Sequence, residues 1–351
     1  MNPAVLNVGG VVLALTLSAA AVTLVGQDAV RPPEPASPAA EAKGPQVVVD
    51  ARGRSVPTAA YQRIVSLHSA ADAILLDMVE PARLVGITYH TLDNNPIGFR
   101  FGNTPGIQRS QDIERVLVLR PDLVVVSKFV GDDYVTRIRE NGVEVFDLGE
   151  MRGVQDTLPN VRSLAALLEL TERGERIASH YARNLAALEA AVADRDPPWG
   201  IYLTVLGDSF FGGSAETSYG DLLHYGGVRD LAAARGFSGW PRYSPEQLVS
   251  LNPSLIVTSQ GRSEMICSNP LLERLAACQT GGRIIEMPAG NHSDPGLGLV
   301  DAAQDLQTLI HGIEPSRAGS NALGKRRPEA SGSQKPVQIR GTPRPSLPEK
   351  P

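Results

Sequence analysis

Cysteine is nearly absent from this chain. Two residues in 351, Cys267 and Cys278, leave room for at most one intrachain disulfide. They lie eleven positions apart. In an oxidising compartment they would close a short loop around Asn269-Pro270, and otherwise they are buried thiols in or beside one helix. No cysteine stands directly after the N-terminal apolar run, so a Cys-acylated lipid anchor is not expected for this numbering. That run, Val11 to Val25, is about fifteen residues long, short of the roughly twenty a bilayer span requires. No Lys or Arg occurs in Met1 to Gly10, so the basic start of a secretory signal is missing. The net charge is only −5, and no basic stripe interleaves with aromatics, which argues against nucleic acid as a partner. There is no G-x-S-x-G elbow and no P-loop, and neither HxxxH nor HxH spacing prepares a metal site. Gly212-Gly213-Ser214 and Gly226-Gly227 read as turns.

What is present is an ordinary globular composition, 42% hydrophobic and 20% charged, long enough for two domains. Residues 1–25 read as a signal peptide, with Ala19-Ala20-Ala21 as a small-x-small cleavage site, or as an uncleaved N-terminal anchor; either implies a periplasmic or extracytoplasmic protein. Residues 26–45, rich in Pro, Ala and Glu, read as a disordered tether, and 313–351, rich in Pro, Ser, Lys and Arg, as a disordered tail.

Between these ends, short apolar runs alternate with helical patterns. Arg63–Leu67, Leu84–Ile87, Leu123–Val126 and Val143–Leu148 read as buried strands. The pattern predicts an α/β lobe over 46–155 with a parallel sheet. From Asp156 to Asp194 the periodicity is helical throughout, with Gly174 as its weak point. A helix N-capped by Thr171 and running to Ala193 would be roughly 34 Å long. Pro197-Pro198 ends this interlobe segment, 156–196. Strands at Ile201–Leu206, Leu255–Ser259 and Arg283–Met287, with helices near Tyr219–Tyr225, Pro245–Leu251, Pro270–Ala277 and Asp301–Ile310, then predict a second α/β lobe over 197–312. The expected fold is two Rossmann-like lobes with parallel central sheets linked by a single long helix, leaving a cleft where strand ends converge.

One internal repeat is detectable. Ile113-Glu114 through Pro121-Asp122-Leu123-Val124 aligns without a gap to Pro245-Glu246 through Pro253-Ser254-Leu255-Ile256. Each copy places a Glu in the first turn of a short helix, seven residues before a Pro that stops it, and a strand follows. A lone carboxylate there is explained by the helix dipole, and Ser244-Pro245-Glu246-Gln247 has the form of a capping box. Duplicated in both lobes, Glu114 and Glu246 also have the form of two exposed charges meeting two basic patches on a partner.

At these residues the chain resembles the periplasmic solute-binding proteins of ABC importers for iron-siderophore, haem and cobalamin, whose two lobes are joined by one rigid helix. The resemblance covers roughly Gln46 to Gly312 and includes Val49-Asp50-Ala51-Arg52-Gly53-Arg54, Arg63-Ile64-Val65-Ser66-Leu67, Leu84-Val85-Gly86-Ile87 and Tyr243-Ser244-Pro245-Glu246. It implies a monomer without enzymatic activity or resident cofactor, which captures a corrinoid or ferric siderophore-type complex between its lobes. It also implies delivery to an ABC permease that reads Glu114 and Glu246. A haem- or free-metal (Zn/Mn)-binding receptor of the same fold is the alternative. Trp240-Pro241 resembles the cobalamin-binding members, whose corresponding Trp lines the pocket. The stretch Leu67-His68-Ser69-Ala70-Ala71-Asp72 departs from the family's usual Pro and Thr-Glu.

By their positions after strands, His68, Tyr89, His90, Phe129, Phe211, Trp240, Tyr243 and His292 are expected at the cleft, together with Phe210. A flat, partly apolar ligand would stack on the rings, while Arg242 and Arg262 would pair its carboxylates or phenolates. The alternative for each ring is packing on its own lobe. For His68, His90 and His292, metal ligation stands beside ordinary loop capping. A hydrolase with its site in the cleft is the competing class: Ser66, His68 and Asp72 hold triad residue types but lie close in sequence.

Overall fold

The computed structural model describes residues 46–94, 97–108, 113–288 and 296–313. Residues 1–45 and 314–351, to which the signal or anchor, the tether and nearly all of the tail were assigned, lie outside the described residues, as does His292. An antiparallel hairpin of β1 (Val47–Val49) and β2 (Ser55–Pro57) leads into the first sheet. That sheet joins β3 (Ile64–Ser66), β4 (Leu84–Thr88), β5 (Gly106–Ile107), β6 (Leu123–Val126) and β7 (Glu144–Asp147) in the order β5-β4-β3-β6-β7, all parallel. Every residue of β3 and β6 is buried, as befits strands covered on both faces. Four helices accompany them: α1 (Ser69–Met78), α2 (Tyr89–Asn94), α3 (Ile113–Val118) and α4 (Asp132–Glu140). The chain lays down β3, β4 and β5 in one direction and then β6 and β7 in the other. The carboxyl ends of β3 and β6 therefore flank a topological switch point, where a crevice opens.

The stretch expected to be continuously helical is two helices, α5 (Val154–Leu167) and α6 (Thr171–Val192). Glu169, in the left-handed region at φ 60°, breaks them apart. Thr171 is therefore the first helical residue rather than the cap; Leu170 holds the cap position and makes no side-chain cap bond. Gly174 is a packing site more than a weak point, since a Cβ there would lie 2.2 Å from that of Ala165 on α5. Near its start α6 is bolted to α1, where Arg173 Nε donates to the Asp77 carbonyl at 2.8 Å.

The second sheet comprises β8 (Trp199–Leu206), β9 (Ser209–Gly213), β10 (Arg229–Asp230), β11 (Arg242–Tyr243), β12 (Leu255–Ser259) and β13 (Arg283–Met287), in the order β11-β9-β8-β12-β13, with β10 also on β8. Its β8-β12-β13 half is parallel as expected, but β9 runs antiparallel to both of its neighbours, β8 and β11. The cause is the two-residue turn Gly207-Asp208, where Gly207 at φ 58° folds β9 straight back on β8. Phe210 and Phe211, expected in a loop, thus lie in a strand. The helices here are α7 (Ser218–Tyr225), α8 (Leu231–Ala234), α9 (Pro245–Leu251), α10 (Ser263–Cys267) and α11 (Leu299–His311). The α9 helix carries the expected capping box: Ser244 accepts from the Gln247 amide and the Gln247 side chain accepts from the Ser244 amide. The helix expected at Pro270–Ala277 is instead a series of turns ending in a 3-10 turn, Ala276–Cys278; the helix precedes it, at α10, and Asn269 turns the chain. A disulfide joins Cys267 at the end of α10 to Cys278, so the thiol alternative falls.

The sequence repeat is also structural. Arg120 and Asn252, the paired residues before Pro121 and Pro253, both adopt left-handed φ, 46° and 40°. The α3–β6 and α9–β12 units each place their strand second from one edge of the sheet. Each sheet has a buried cluster of its own on one face. A third and larger cluster runs from Ile64 and Ile74 through Tyr181 and Leu188 of α6 to Tyr202, Leu222 and Leu306. On that side Gln307 of α11, wholly buried, donates to the carbonyls of Leu188 and Tyr225 at 2.8 and 2.7 Å, tying α11 to α6 and α7.

Candidate functional site

His68 ends the β3 crossing and caps α1, its Nδ1 accepting the Ala70 amide at 3.2 Å. The Ser66 hydroxyl donates to the His68 carbonyl at 3.1 Å. This is helix-capping geometry rather than a Ser–His–Asp relay, because Ser66 reaches the backbone and not the imidazole. Asp72, fully buried one turn into α1, accepts the Thr88 amide at 3.1 Å together with the hydroxyls of Thr88 and Thr91. Burial pushes its carboxyl up to about 7, against the opposing hydrogen bonds from Thr88 and Thr91. The same bonds fix the β4–α2 junction, so Tyr89 and His90, the first residues of α2, leave the sheet at a set angle.

Two more first-lobe loops follow β6 and β7. The Lys128 amide donates to the Gly149 carbonyl at 2.9 Å, which binds the loop carrying Phe129 to the loop carrying Glu150 and Met151. Glu150 pairs with Lys128 and with Arg152, and the hydrogen bond and charge of Lys128 hold its carboxyl below the usual range.

The second lobe contributes the start of α7 and a loop before β11. Thr217 caps α7 by accepting the Gly220 amide at 3.2 Å, which sets Ser218 and Tyr219. Tyr219 stacks on Tyr202, a buried β8 residue, with centroids 3.9 Å apart. Trp240 sits on a loop pinned on both sides: Gly239 accepts from the Ser214 amide at 3.0 Å and donates to Ala215 at 2.9 Å, while Pro241 accepts from Gly212 at 2.8 Å.

These segments enclose a cavity of about 600 Å³ between the two sheets. Its floor is buried, with His68, Thr88, Ile107, Met151 and Ser218 each at most 5% exposed. Its rim carries Tyr89, Phe129 and Trp240, which are 44, 59 and 43% exposed, an unusual amount of ring surface to leave in water. Gln108 and Glu150 add polarity. Among the described residues no group of three His, Cys, Asp or Glu side chains is arranged to hold a metal ion. None of the described helices is long and apolar enough to cross a membrane.

Residues 64–289 match the sequence profile of a family described as periplasmic binding protein. The chain belongs to the periplasmic binding protein family. It is 22% identical over 310 residues to a protein of Halobacterium salinarum named cobalamin-binding protein, covering 85% of this chain and 84% of that one. It is 22% identical over 206 residues, 57% of this chain and 64% of the other, to a Bacillus subtilis protein named an uncharacterised ABC transporter substrate-binding lipoprotein. The solved structure of the haem-binding protein HmuT superposes with a TM-score of 0.63 at 22% identity, over 78% of this chain and 93% of that chain.

In this periplasmic binding protein the cavity gathers His68, Tyr89, His90, Phe129 and Trp240 from among the residues singled out in the sequence. Five others lie elsewhere, Phe210 among them, 3% exposed in the core of the second sheet. Tyr243 is 3% exposed in the core of the second sheet, because the β11 pleat turns it inward against Phe237. Arg242, next to it on β11, binds the Ser209 hydroxyl at 2.7 Å and lies over the Phe211 ring, so both are occupied at the antiparallel edge. Arg262 occupies the cap position of α10 without a side-chain cap bond and reaches Met265 Sδ at 3.2 Å; it does not line the cavity. Sequence reasoning passed over Thr88, Met151, Ser218 and Tyr219. The available signal was positional: each stands at, or just after, the carboxyl end of a strand or the start of a helix. Glu114 and Glu246 are exposed in the first turns of α3 and α9.

Proposed function

We propose that this protein is the extracytoplasmic solute-binding component of an ABC importer, taking a corrinoid or a ferric siderophore-type complex into the cavity and handing it to a permease. The observation that carries the reading is the ring-rimmed cavity itself. Tyr89 and Phe129 from one lobe and Trp240 and Tyr219 from the other surround a space of about 600 Å³, within the range of small-ligand sites. Aromatic faces suit a broad, flat, partly apolar solute, and a site built from two lobes binds by small closure. The names of the Halobacterium relative and of the ABC-transporter relative support the same class. No cofactor is resident on this reading; the metal complex is the cargo.

Haem is the second reading, favoured by His90 and the tyrosines Tyr89 and Tyr219 at the cavity, residue types able to reach an iron, and by the name of the HmuT neighbour. Free Zn or Mn is disfavoured by the lack of a three-ligand cluster among the described residues. The test is fluorescence titration of the Trp199→Phe variant, which leaves Trp240 as the sole reporter, with cyanocobalamin, haemin, ferric siderophores, and free Zn and Mn. Saturable quenching by one large complex, confirmed by calorimetry and weakened in Trp240→Ala, is the expected outcome. A response to free metal alone, or to nothing, overturns the reading.

A further inference from the structure

The N-terminal hairpin lies outside the cavity, yet its turn reaches two of the loops that build the cavity wall. Arg52, in the turn between β1 and β2, uses all of its guanidinium nitrogens. Its Nε binds Asp147 Oδ2, its Nη2 donates to the Val130 carbonyl at 2.9 Å, and its Nη1 pairs with Asp132. Asp147 is 1% exposed at the end of β7, and its other oxygen accepts the Gly149 amide at 2.7 Å. One side chain thereby grips the residue after Phe129 and, through Asp147, the residue before Glu150. The turn is itself pre-shaped: Asp50, 5% exposed, accepts the amides of Arg52 and Arg54 at 2.9 Å and pairs with Arg139 at 3.3 Å. The Ala51 amide donates to the Asp147 carbonyl at 3.0 Å.

We propose that Arg52 is a positioning residue for the cavity, a brace that locks the Phe129 loop to the Glu150–Met151 loop without touching the solute. A planar fork can meet three acceptors at once; a lysine ammonium at the end of a flexible chain holds them less rigidly, so Arg52→Lys is the sensitive variant. The assignment rests on the solute-binding reading only for the cavity's use, and its first test needs no solute.

Hydrogen–deuterium exchange of the full chain, wild type against Arg52→Lys and Arg52→Ala, is expected to show exchange rising about tenfold at amides 128–132 and 148–151, with the rest of the first sheet unchanged. Val49→Ser, an exposed change on the same hairpin, should leave those amides as they are. In calorimetry, whichever of cyanocobalamin or haemin binds the wild type should bind Arg52→Lys about tenfold more weakly while the unfolding midpoint stays within a few degrees. Unchanged exchange in the two loops overturns the brace, and so does a rise spread over the whole sheet, which would mark Arg52 as merely structural. Altered loop exchange with unaltered affinity overturns its role in the cavity. Should neither solute bind the wild type, the solute class fails while the exchange result still decides the brace.

Discussion

Tyr219 lies against Tyr202 with the ring planes 16° from parallel, so a cavity residue rests on a fully buried one. The backing ring fixes the angle at which Tyr219 faces the cavity. Stacked aromatic pairs contribute about 1 kcal/mol beyond their area. Tyr202→Leu should therefore lower urea stability by about 1–3 kcal/mol and also weaken solute binding. Tyr219→Ala should weaken binding with a smaller loss of stability. Equal affinity in both variants and wild type, by calorimetry with cyanocobalamin or haemin, would remove Tyr219 from the site.

Gly153 joins the cavity loop to α5 where there is no room for a side chain. A Cβ there would lie 2.1 Å from Asp221 Oδ2, the atom that accepts the Val154 amide at 2.8 Å. Gly153→Ala should cost about 1–3 kcal/mol, and much less in an Asp221→Ala background, a coupling of about 1 kcal/mol or more. Simple additivity in the double-mutant cycle would contradict the contact.

Asp72 makes stability depend on pH in the direction opposite to most carboxylates. Its folded value, about 7, lies above the unfolded value of about 4, so the folded state retains a proton that the unfolded chain has lost. Its contribution is complete below about pH 4 and is lost as pH rises toward 7. From pH 5 to pH 8 the stability of wild type relative to Asp72→Asn should fall by roughly 2 kcal/mol. Urea midpoints at both pH values provide the check, and a constant difference would mean that Asp72 does not titrate there.

Glu114 and Glu246 occupy matching exposed turns of the two copies of the repeat. Replacing both by Lys should abolish uptake in cells while leaving solute affinity within about a few-fold, since charge reversal on an exposed face alters recognition of a partner more than folding. Unchanged uptake would sink the docking role.

The strands Leu123–Val126, Leu255–Ser259 and Arg283–Met287 were legible to the residue because each is a short run with apolar residues at its centre and turn residues on both sides. The hairpin at Gly207 was not, because Ser209 to Gly213 is too short and too glycine-rich to show alternation. Phe211 and Tyr243 went to the cleft on their positions after strands, whereas the alternation of side chains along β9 and β11 decides which way each faces. Trp240 and Phe129 were legible because they follow turns in segments that no core pattern claims. Tyr219 was hidden inside a helical pattern, and its exposure to the cavity depends on Tyr202, seventeen residues earlier and adjacent only in the fold.

The large apolar cluster that passes from the first sheet through α6 to the second packs both lobes against one helix despite their separate sheets. Neither lobe can melt without exposing the surface of α6 on which the other depends. Heating should accordingly give a single transition whose calorimetric and van 't Hoff enthalpies agree, and a lobe expressed alone would present that helix face as a site for aggregation.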